Sequence, residues 1–140
     1  MNTLIPDTHI DLLTRPVHGV FTTMMPDGQP QMSLVWCDYD GECACVNTSR
    51  ERQKGRNLAA NPRVTLLVVD PADSSRYLEI RGLVEVVEAG AVEHLDRLTR
   101  AYTQHPCFYG YVYPVEKQAQ ETRIICRIHA TRVTLDAIHR

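Results

Sequence analysis

The chain has 140 residues, 44% of them hydrophobic and 23% charged, and a formal net charge of −2. This length predicts a single domain over residues 1–140 with a substantial core. The slightly acidic balance argues against a general nucleic-acid binder, which is usually basic. No apolar run approaches the roughly 20 residues that span a bilayer.

The N-terminal stretch 1–16 lacks a basic start followed by an unbroken apolar run, so it predicts no signal peptide. The five cysteines are odd in number and lie mostly in apolar segments. Buried, reduced thiols in a cytoplasmic protein are the simpler interpretation of this pattern.

The chain begins with a predicted helix over residues 7–14, capped by Asp7 or Thr8 and ended by Pro16. Three β-prone runs separated by short Gly-containing turns follow, and we predict that they form an antiparallel meander. These runs cover residues 17–25, 31–40 and 42–48.

A second helix is predicted from Thr48 to about Ala60. Thr48 followed three residues later by Glu51 matches a capping box, and Pro62 makes continuation of the helix unfavourable. This start would put Arg50 and Arg52 in the first helical turn. Cations are disfavoured there by the helix dipole unless an anion neutralises them.

The rest of the chain alternates between strand and helix patterns. Predicted strands cover residues 63–70, 76–88 and 122–136, and an amphipathic helix covers residues 89–104. Gly82 indicates a bulge or a close backbone approach. Residues 105–120 are aromatic and predict an irregular loop with a helical turn. Six strands in all predict a mainly β fold, a six-stranded antiparallel barrel with flanking helices.

Basic and hydroxyl side chains gather where the third strand meets the second helix. A helix N-terminus favours anions, Arg52 and Lys54 can donate charge-assisted hydrogen bonds, and Asn47, Thr48 and Ser49 supply neutral donors. The arrangement fits a phosphate or carboxylate site, and it equally fits a solvated helix face. The residues alone leave both interpretations open.

The second strand places Gln31, Ser33 and Val35 on one face, where they could line a flat polar ring or simply meet solvent. Cys43 and Cys45 have no second Cys or His pair at zinc-finger spacing, so no metal site is predicted. Serine-hydrolase, dinucleotide-binding and P-loop motifs are absent from the sequence. The aromatic residues at 108–113 suit either a lid or a subunit contact.

The combination of these segments resembles the pyridoxamine 5'-phosphate oxidase-like split β-barrels, and is most similar to their subgroup that binds the deazaflavin F420. The similarity covers residues 10–87. Its most specific part is a strand, small polar residues, R-x-K and N-L-x-x-N-P before another apolar strand. Those positions are Asn47, Thr48, Ser49, Arg52, Lys54, Asn57, Leu58, Asn61 and Pro62.

This resemblance implies a homodimer with two cofactor sites at the subunit interface. Arg52 and Lys54 would hold the cofactor phosphate with help from Thr48 and Ser49. The ring would be lined by Gln31, Ser33 and Val35, and Arg76 and Tyr77 would approach from the partner chain. The cofactor supplies the hydride in such proteins, so no catalytic residue is predicted.

The resemblance favours F420, with FMN as the alternative, because both carry a three-ring head and a ribityl phosphate. The F420 tail adds carboxylates, for which Arg50, Arg56 and Arg63 could form a longer basic track. The implied activity is reduction of an unsaturated or quinone-like small molecule. Two other hypotheses are a binding module that shields a flavin-like or haem ligand and a nucleic-acid contact through the basic helix.

Overall fold

The computed structural model describes residues 4–137, whose seven strands form one antiparallel sheet. The strands are β1 Gly19–Met24, β2 Pro30–Val35, β3 Cys37–Tyr39, β4 Ala44–Ser49, β5 Arg63–Val69, β6 Tyr77–Val87 and β7 Arg123–Leu135. The helices are α1 Asp11–Thr14, α2 Gln53–Ala60, α3 Ala91–Thr103 and a 3₁₀ helix, Val115–Gln120. The predicted mainly β barrel with flanking helices is confirmed. Within the described residues, every helix is too short or too polar to cross a membrane.

The order of strands across the sheet is β2-β1-β5-β6-β7-β4-β3. β2 and β3 therefore lie at opposite edges, although only Trp36 separates them along the chain. The sheet has to curve until its two edges meet at Trp36, and this curvature makes the barrel. The strand predicted over residues 31–40 splits here, so seven strands replace the expected six. Both pairings of the predicted meander form, β1 with β2 and β3 with β4. The break at Trp36 separates them into two hairpins at opposite edges of the sheet, so they do not form one continuous meander.

The core lies inside the curved sheet, because side chains alternate between its two faces along each strand. In β5, Val64, Leu66 and Val68 are buried and their neighbours are more exposed. Leu12 and Leu13 of α1 are fully buried and belong to the same apolar cluster. The short first helix thus contributes two of the largest core side chains.

The first helix is shorter than predicted. It begins at Asp11, and its N-cap is Ile10 rather than Asp7 or Thr8. Residues 7–10 form turns, with the backbone N–H of residue 9 donating to the Pro6 carbonyl at 3.0 Å. The helix does end just before Pro16, as predicted.

The second helix begins at Gln53, so the predicted capping box is wrong. Thr48 instead extends β4, where it pairs with Ile124 of β7. The Glu51 carboxylate accepts the backbone N–H of Thr122 at 2.7 Å rather than reaching back to Thr48. Pairing with β7 therefore prevails over the local capping signal.

The interruption predicted at Gly82 is present. The register between β6 and β7 shifts between Arg81 and Gly82, and a Cβ atom at Gly82 would collide with the His129 carbonyl oxygen. The predicted amphipathic helix and the aromatic loop with a helical turn are also found, as α3 and residues 104–122. This loop leads from α3 across one side of the barrel to β7.

Candidate functional site

A cavity of about 480 Å³ lies beside Trp36, where the two edges of the sheet meet. Most of its lining is aromatic or aliphatic, and two guanidinium groups and an imidazole complete it. The lining residues are His18, Leu34, Val35, Trp36, Arg52, Leu95, Phe108, Val112, Tyr113 and Arg123. Cavities of this size with few polar groups are typical of cofactor and small-molecule sites.

The aromatic wall of the cavity is built around Trp36. Its ring stacks on Tyr102 with centroids 5.6 Å apart and meets the edge of Phe108 at 6.2 Å. The Tyr102 hydroxyl donates to the Val17 carbonyl at 2.8 Å and accepts the backbone N–H of Cys37 at 3.1 Å. These bonds fix the indole between β2 and β3, so the wall can receive a flat ring without rearranging.

Arg52 and Arg123 make the other wall cationic. We call these two arginines and the nearby Lys54, whose charge interacts with both, the basic cluster. Arg52 is the N-cap of α2 and Lys54 lies in its first turn. Gly55 allows α2 to sit directly on the end of β4, because a Cβ atom there would collide with the Ser49 backbone. Arg123 opens β7 opposite Ser49, so strand pairing and helix packing bring the three cations together.

One carboxylate, Glu121, faces the basic cluster. Its Oε2 accepts from Arg52 Nε at 3.0 Å, and its Oε1 accepts from Arg123 Nη1 at 3.2 Å. The Tyr109 hydroxyl donates to Oε1 at 2.6 Å and Ser49 Oγ donates to Oε2 at 3.4 Å. Burial alone would raise the pKa of Glu121, but these hydrogen bonds and the two arginine charges hold it below its usual value.

Lys54 makes no hydrogen bond or ion pair within residues 4–137. Burial lowers the pKa of its ammonium group, and the charges of Arg52 and Arg123 lower it further. Burial likewise lowers the pKa of Arg123. Three cations against one carboxylate leave the cluster with an excess of positive charge. Such an excess in a partly buried place is the electrostatic signature of an anion site.

Two buried hydroxyls, Ser33 Oγ and Thr48 Oγ1, have no hydrogen-bond partner among the described residues. An unpartnered buried polar group costs about 1–3 kcal/mol. Both lie on strands for which sequence analysis predicted ligand contacts. A bound molecule with polar edges is the simplest partner for them.

Of the predicted site residues, Val35 and Arg52 line the cavity. Ser49 lies outside the lining and donates to Glu121, which also accepts from Arg52. Outside the lining too are Ser33, Thr48 and Lys54. Asn47 holds Arg123, since its Oδ1 accepts from Arg123 Nε at 3.0 Å. The amide nitrogen of Asn47 donates to α3, at 2.8 Å to the carbonyl of residue 91. Asn47 therefore positions a cation in this chain.

Gln31 belongs to a separate hydrogen-bond network on the barrel wall. Its Oε1 accepts from Thr23 Oγ1 at 3.3 Å, and Thr23 Oγ1 accepts from Asn57 Nδ2 at 3.0 Å. This hydrogen-bond network joins β2, β1 and α2. Arg76 and Tyr77 lie at the start of β6, outside the cavity lining. Their predicted contact with a partner's cofactor stays a prediction.

Residues 5–135 match the family model described as pyridoxamine 5'-phosphate oxidase. The chain belongs to this family. The resemblance stated from the sequence is thereby confirmed. No sequence among curated proteins matches the chain.

Solved structures of the pyridoxamine 5'-phosphate oxidase fold are similar over most of this chain. One named F420 reductase shares 35% identity with a TM-score of 0.78, covering 93% of this chain and 98% of its own. A conserved hypothetical protein from Mycobacterium tuberculosis shares 26% identity, with a TM-score of 0.70 and coverages of 96% and 86%. A putative pyridoxamine 5'-phosphate oxidase from Listeria innocua, 21% identical, has a TM-score of 0.61 and coverages of 84% and 86%, and shows the fold.

Sequence reasoning about this family member missed several residues that form the site. Arg123 and Glu121 lie at the start of β7, outside the segment that carried the resemblance, and Trp36 was assigned to a continuous strand. The only local signal was the aromatic run at 108–113, which supplies Phe108 and Tyr113 to the cavity. Arg123 reaches the site only because β4 pairs with β7.

Proposed function

We propose that this protein is a reductase that binds F420 and transfers a hydride to an unsaturated or quinone-like small molecule. The observation that carries the proposal is the basic cluster, in which three cations share one carboxylate among the described residues and two of them line an aromatic cavity. Family membership and the 35% identity to the structure named F420 reductase support it.

The excess charge left by Arg52, Lys54 and Arg123 over Glu121 fits an anionic phosphate ester. A phosphate monoester, as in FMN, carries about −1.5 to −2 charges near neutral pH. The phosphate of F420 is a diester with a single charge, and the carboxylates of its tail supply the rest. Arg52 and Lys54 would hold the phosphate oxygens, and Thr48 and Ser49 would add hydroxyl donors. Guanidinium groups suit this task because their donors form a planar fork.

The aromatic cavity fits the three-ring head of a flavin or deazaflavin. Val35 lines the cavity at the base of Trp36, and the ring would lie along this wall, towards Ser33 and Gln31. When bound, the cofactor supplies the hydride. The chain would orient the ring and exclude water, so we assign no catalytic acid or base.

A second copy of the chain is part of this proposal. Met32 and Leu34 of β2 and Val112 of the aromatic loop are large apolar side chains that are exposed, and Leu34 is 72% exposed although it lines the cavity. A homodimer would cover them and enclose the ligand between protomers. Arg76 and Tyr77 would then reach the site from the partner subunit. The five free cysteines support a cytoplasmic location.

The choice between F420 and FMN is decided by titration. We expect purified protein to bind F420 with micromolar or tighter affinity, measured by fluorescence, and to bind FMN more weakly. The double variant Arg52→Ala with Lys54→Ala should lose at least about 100-fold in F420 affinity, because charge-assisted hydrogen bonds contribute about 1.5–3 kcal/mol each. Oxidation of reduced F420 by a panel of quinones and enoates then tests the activity.

A matched control removes the same charge elsewhere. Arg81 and Arg132 are exposed and face each other across β6 and β7, so replacing both by alanine removes two cations without touching the cavity. This control should bind F420 within about threefold of the unaltered protein. Equal losses in both double variants, or micromolar affinity for neither cofactor, would contradict the proposal.

A further inference from the structure

A second group of ligand-type side chains lies away from the cavity, and we call Glu42, Cys43 and His129 the turn cluster. Glu42 and Cys43 lie in the turn between β3 and β4, and His129 lies on β7. One ligand atom from each residue falls within 4.8 Å of the others. Cys43 Sγ is 3.6 Å from His129 Nδ1 and 3.9 Å from Glu42 Oε1.

The separation of Cys43 and His129 matches that of two ligands of a tetrahedral zinc ion. Zinc binds sulfur at about 2.3 Å and imidazole nitrogen at about 2.0–2.1 Å. At a tetrahedral angle those bonds put sulfur and nitrogen about 3.6 Å apart, the distance between Cys43 and His129. Glu42 is half-buried and needs only a change of side-chain torsion to complete a three-residue set, with a fourth position left for water.

The imidazole is already oriented for a cation. His129 Nε2 lies 2.7 Å from Glu85 Oε1, and because a carboxylate only accepts, Nε2 carries the proton. The Nδ1 lone pair therefore faces Cys43. A carboxylate behind a histidine is the usual outer partner of a metal-bound imidazole, fixing its tautomer and orientation.

The carboxylates around the turn cluster are held in place by one guanidinium. Arg127 donates to Asp40 at 2.7 Å, to Glu85 at 2.7 Å and to Glu42 at 3.2 Å. Three carboxylates against one arginine leave this surface negative, which a divalent cation would offset. A thiol–imidazole hydrogen bond accounts for the Cys43–His129 distance and Arg127 for the carboxylates. A cation would bring the thiol, the imidazole and the Glu42 carboxylate into one site.

We propose that Glu42, Cys43 and His129 bind a zinc-type divalent cation that ties the β3–β4 turn to β7. Thiolate, imidazole and carboxylate together favour zinc or cobalt over magnesium or calcium, which prefer oxygen ligands. The turn cluster shares no residue with the cavity or the basic cluster. An experiment can therefore contradict the proposed cation site without contradicting the proposed cofactor binding, and the reverse.

The test uses tag-free protein that has been stripped with a chelator and reduced with a phosphine. Titration with Co²⁺ should give a thiolate-to-cobalt charge-transfer band and the intense visible bands of a four-coordinate site, and Zn²⁺ should displace both. Zn²⁺ should also raise the midpoint of thermal unfolding. Glu85→Gln should weaken Zn²⁺ binding about 10- to 100-fold, because it removes the outer partner of His129.

Variants locate the ligands. Cys43→Ser should abolish the charge-transfer band, and His129→Gln, at an exposed position that folding tolerates, should weaken Co²⁺ binding more than Glu85→Gln does. Cys45→Ala is the matched control, because Cys45 lies two residues further along, on β4 and outside the turn cluster, and it should keep the band. No charge-transfer band in the unaltered protein, or a band that survives Cys43→Ser, would overturn the proposal.

Discussion

Two arginine-rich regions of the molecule differ in how completely their charges are neutralised. Arg76 lies between two carboxylates, donating to Asp11 Oδ1 at 2.6 Å and to Asp70 Oδ2 at 2.8 Å. It also donates to the backbone carbonyl of Thr8 at 2.6 Å. The basic cluster holds three cations for one carboxylate, Glu121.

The difference teaches how to separate structural cations from ligand-binding ones. The hydrogen bonds and charges of Asp11 and Asp70 raise the pKa of Arg76, whereas burial lowers the pKa of Lys54. Arg76 joins the loop before β6 to α1, and its charge is neutralised within the chain. The basic cluster is under-neutralised, and this imbalance is the feature that a ligand would correct.

Of these predictions, the largest expected effect is on cofactor affinity, and it comes from changing the charge balance at the basic cluster. Glu121→Gln keeps the shape of the side chain but removes the carboxylate that, among residues 4–137, pairs with Arg52 and Arg123. We expect affinity for F420 or FMN to rise about 10-fold, since a competing charge-assisted contact of roughly 1.5 kcal/mol is lost. The free protein should become less stable, because Arg52 and Arg123 lose their partner. Fluorescence titration and thermal unfolding measure the two effects, and weaker cofactor binding would contradict the prediction.

Arg76→Ala tests the region in which two carboxylates neutralise the arginine. Removing this guanidinium leaves Asp11 and Asp70 facing each other, so we expect the free energy of unfolding to fall by about 1 kcal/mol. Chemical denaturation measures this, with Arg81→Ala, an exposed arginine, as the control that changes little. A tenfold loss of cofactor affinity in Arg76→Ala would support its predicted contact across the dimer. An unchanged free energy of unfolding would show that the ion pairs contribute nothing.

Thr48→Val should have opposite effects on the free and the bound protein. The variant replaces a fully buried, unpartnered hydroxyl by a methyl group of similar size. We expect the free protein to gain up to about 1 kcal/mol in unfolding free energy and the cofactor complex to lose a similar amount. Ser33→Ala offers the same comparison on β2. A gain in both stability and affinity would show that Thr48 does not donate a hydrogen bond to the cofactor.

The smallest expected effect is on pH dependence. Lys54 has a pKa below the ordinary lysine value of 10.5, and a bound phosphate would raise it again, so binding should take up a proton. Affinity should therefore fall as the pH rises through the lowered pKa, because a neutral Lys54 no longer attracts the phosphate. Lys54→Arg should flatten this dependence. Calorimetry in buffers of different ionisation enthalpy measures the proton uptake directly.

Local patterns predicted most of the elements but few residues of the cavity lining. The β-prone apolar run 63–70 and the amphipathic spacing of 89–104 correspond closely to β5 and α3, because each depends on neighbours in sequence. Thr48 shows the limit, since a capping signal competed with long-range pairing to Ile124 and lost. Arg123 shows it again, because it joins the basic cluster only through the pairing of distant strands.

The position of Trp36 also has a consequence for the folding kinetics. The β1–β2 and β3–β4 hairpins are local and can form early, yet they end up at opposite edges of the sheet. The sheet between them consists of β5, β6 and β7, with β7 from the end of the chain. Contacts so distant in sequence slow folding, because loop closure costs entropy before pairing rewards it. Ring closure at the indole is therefore a late event, and the cavity forms only when the barrel is complete.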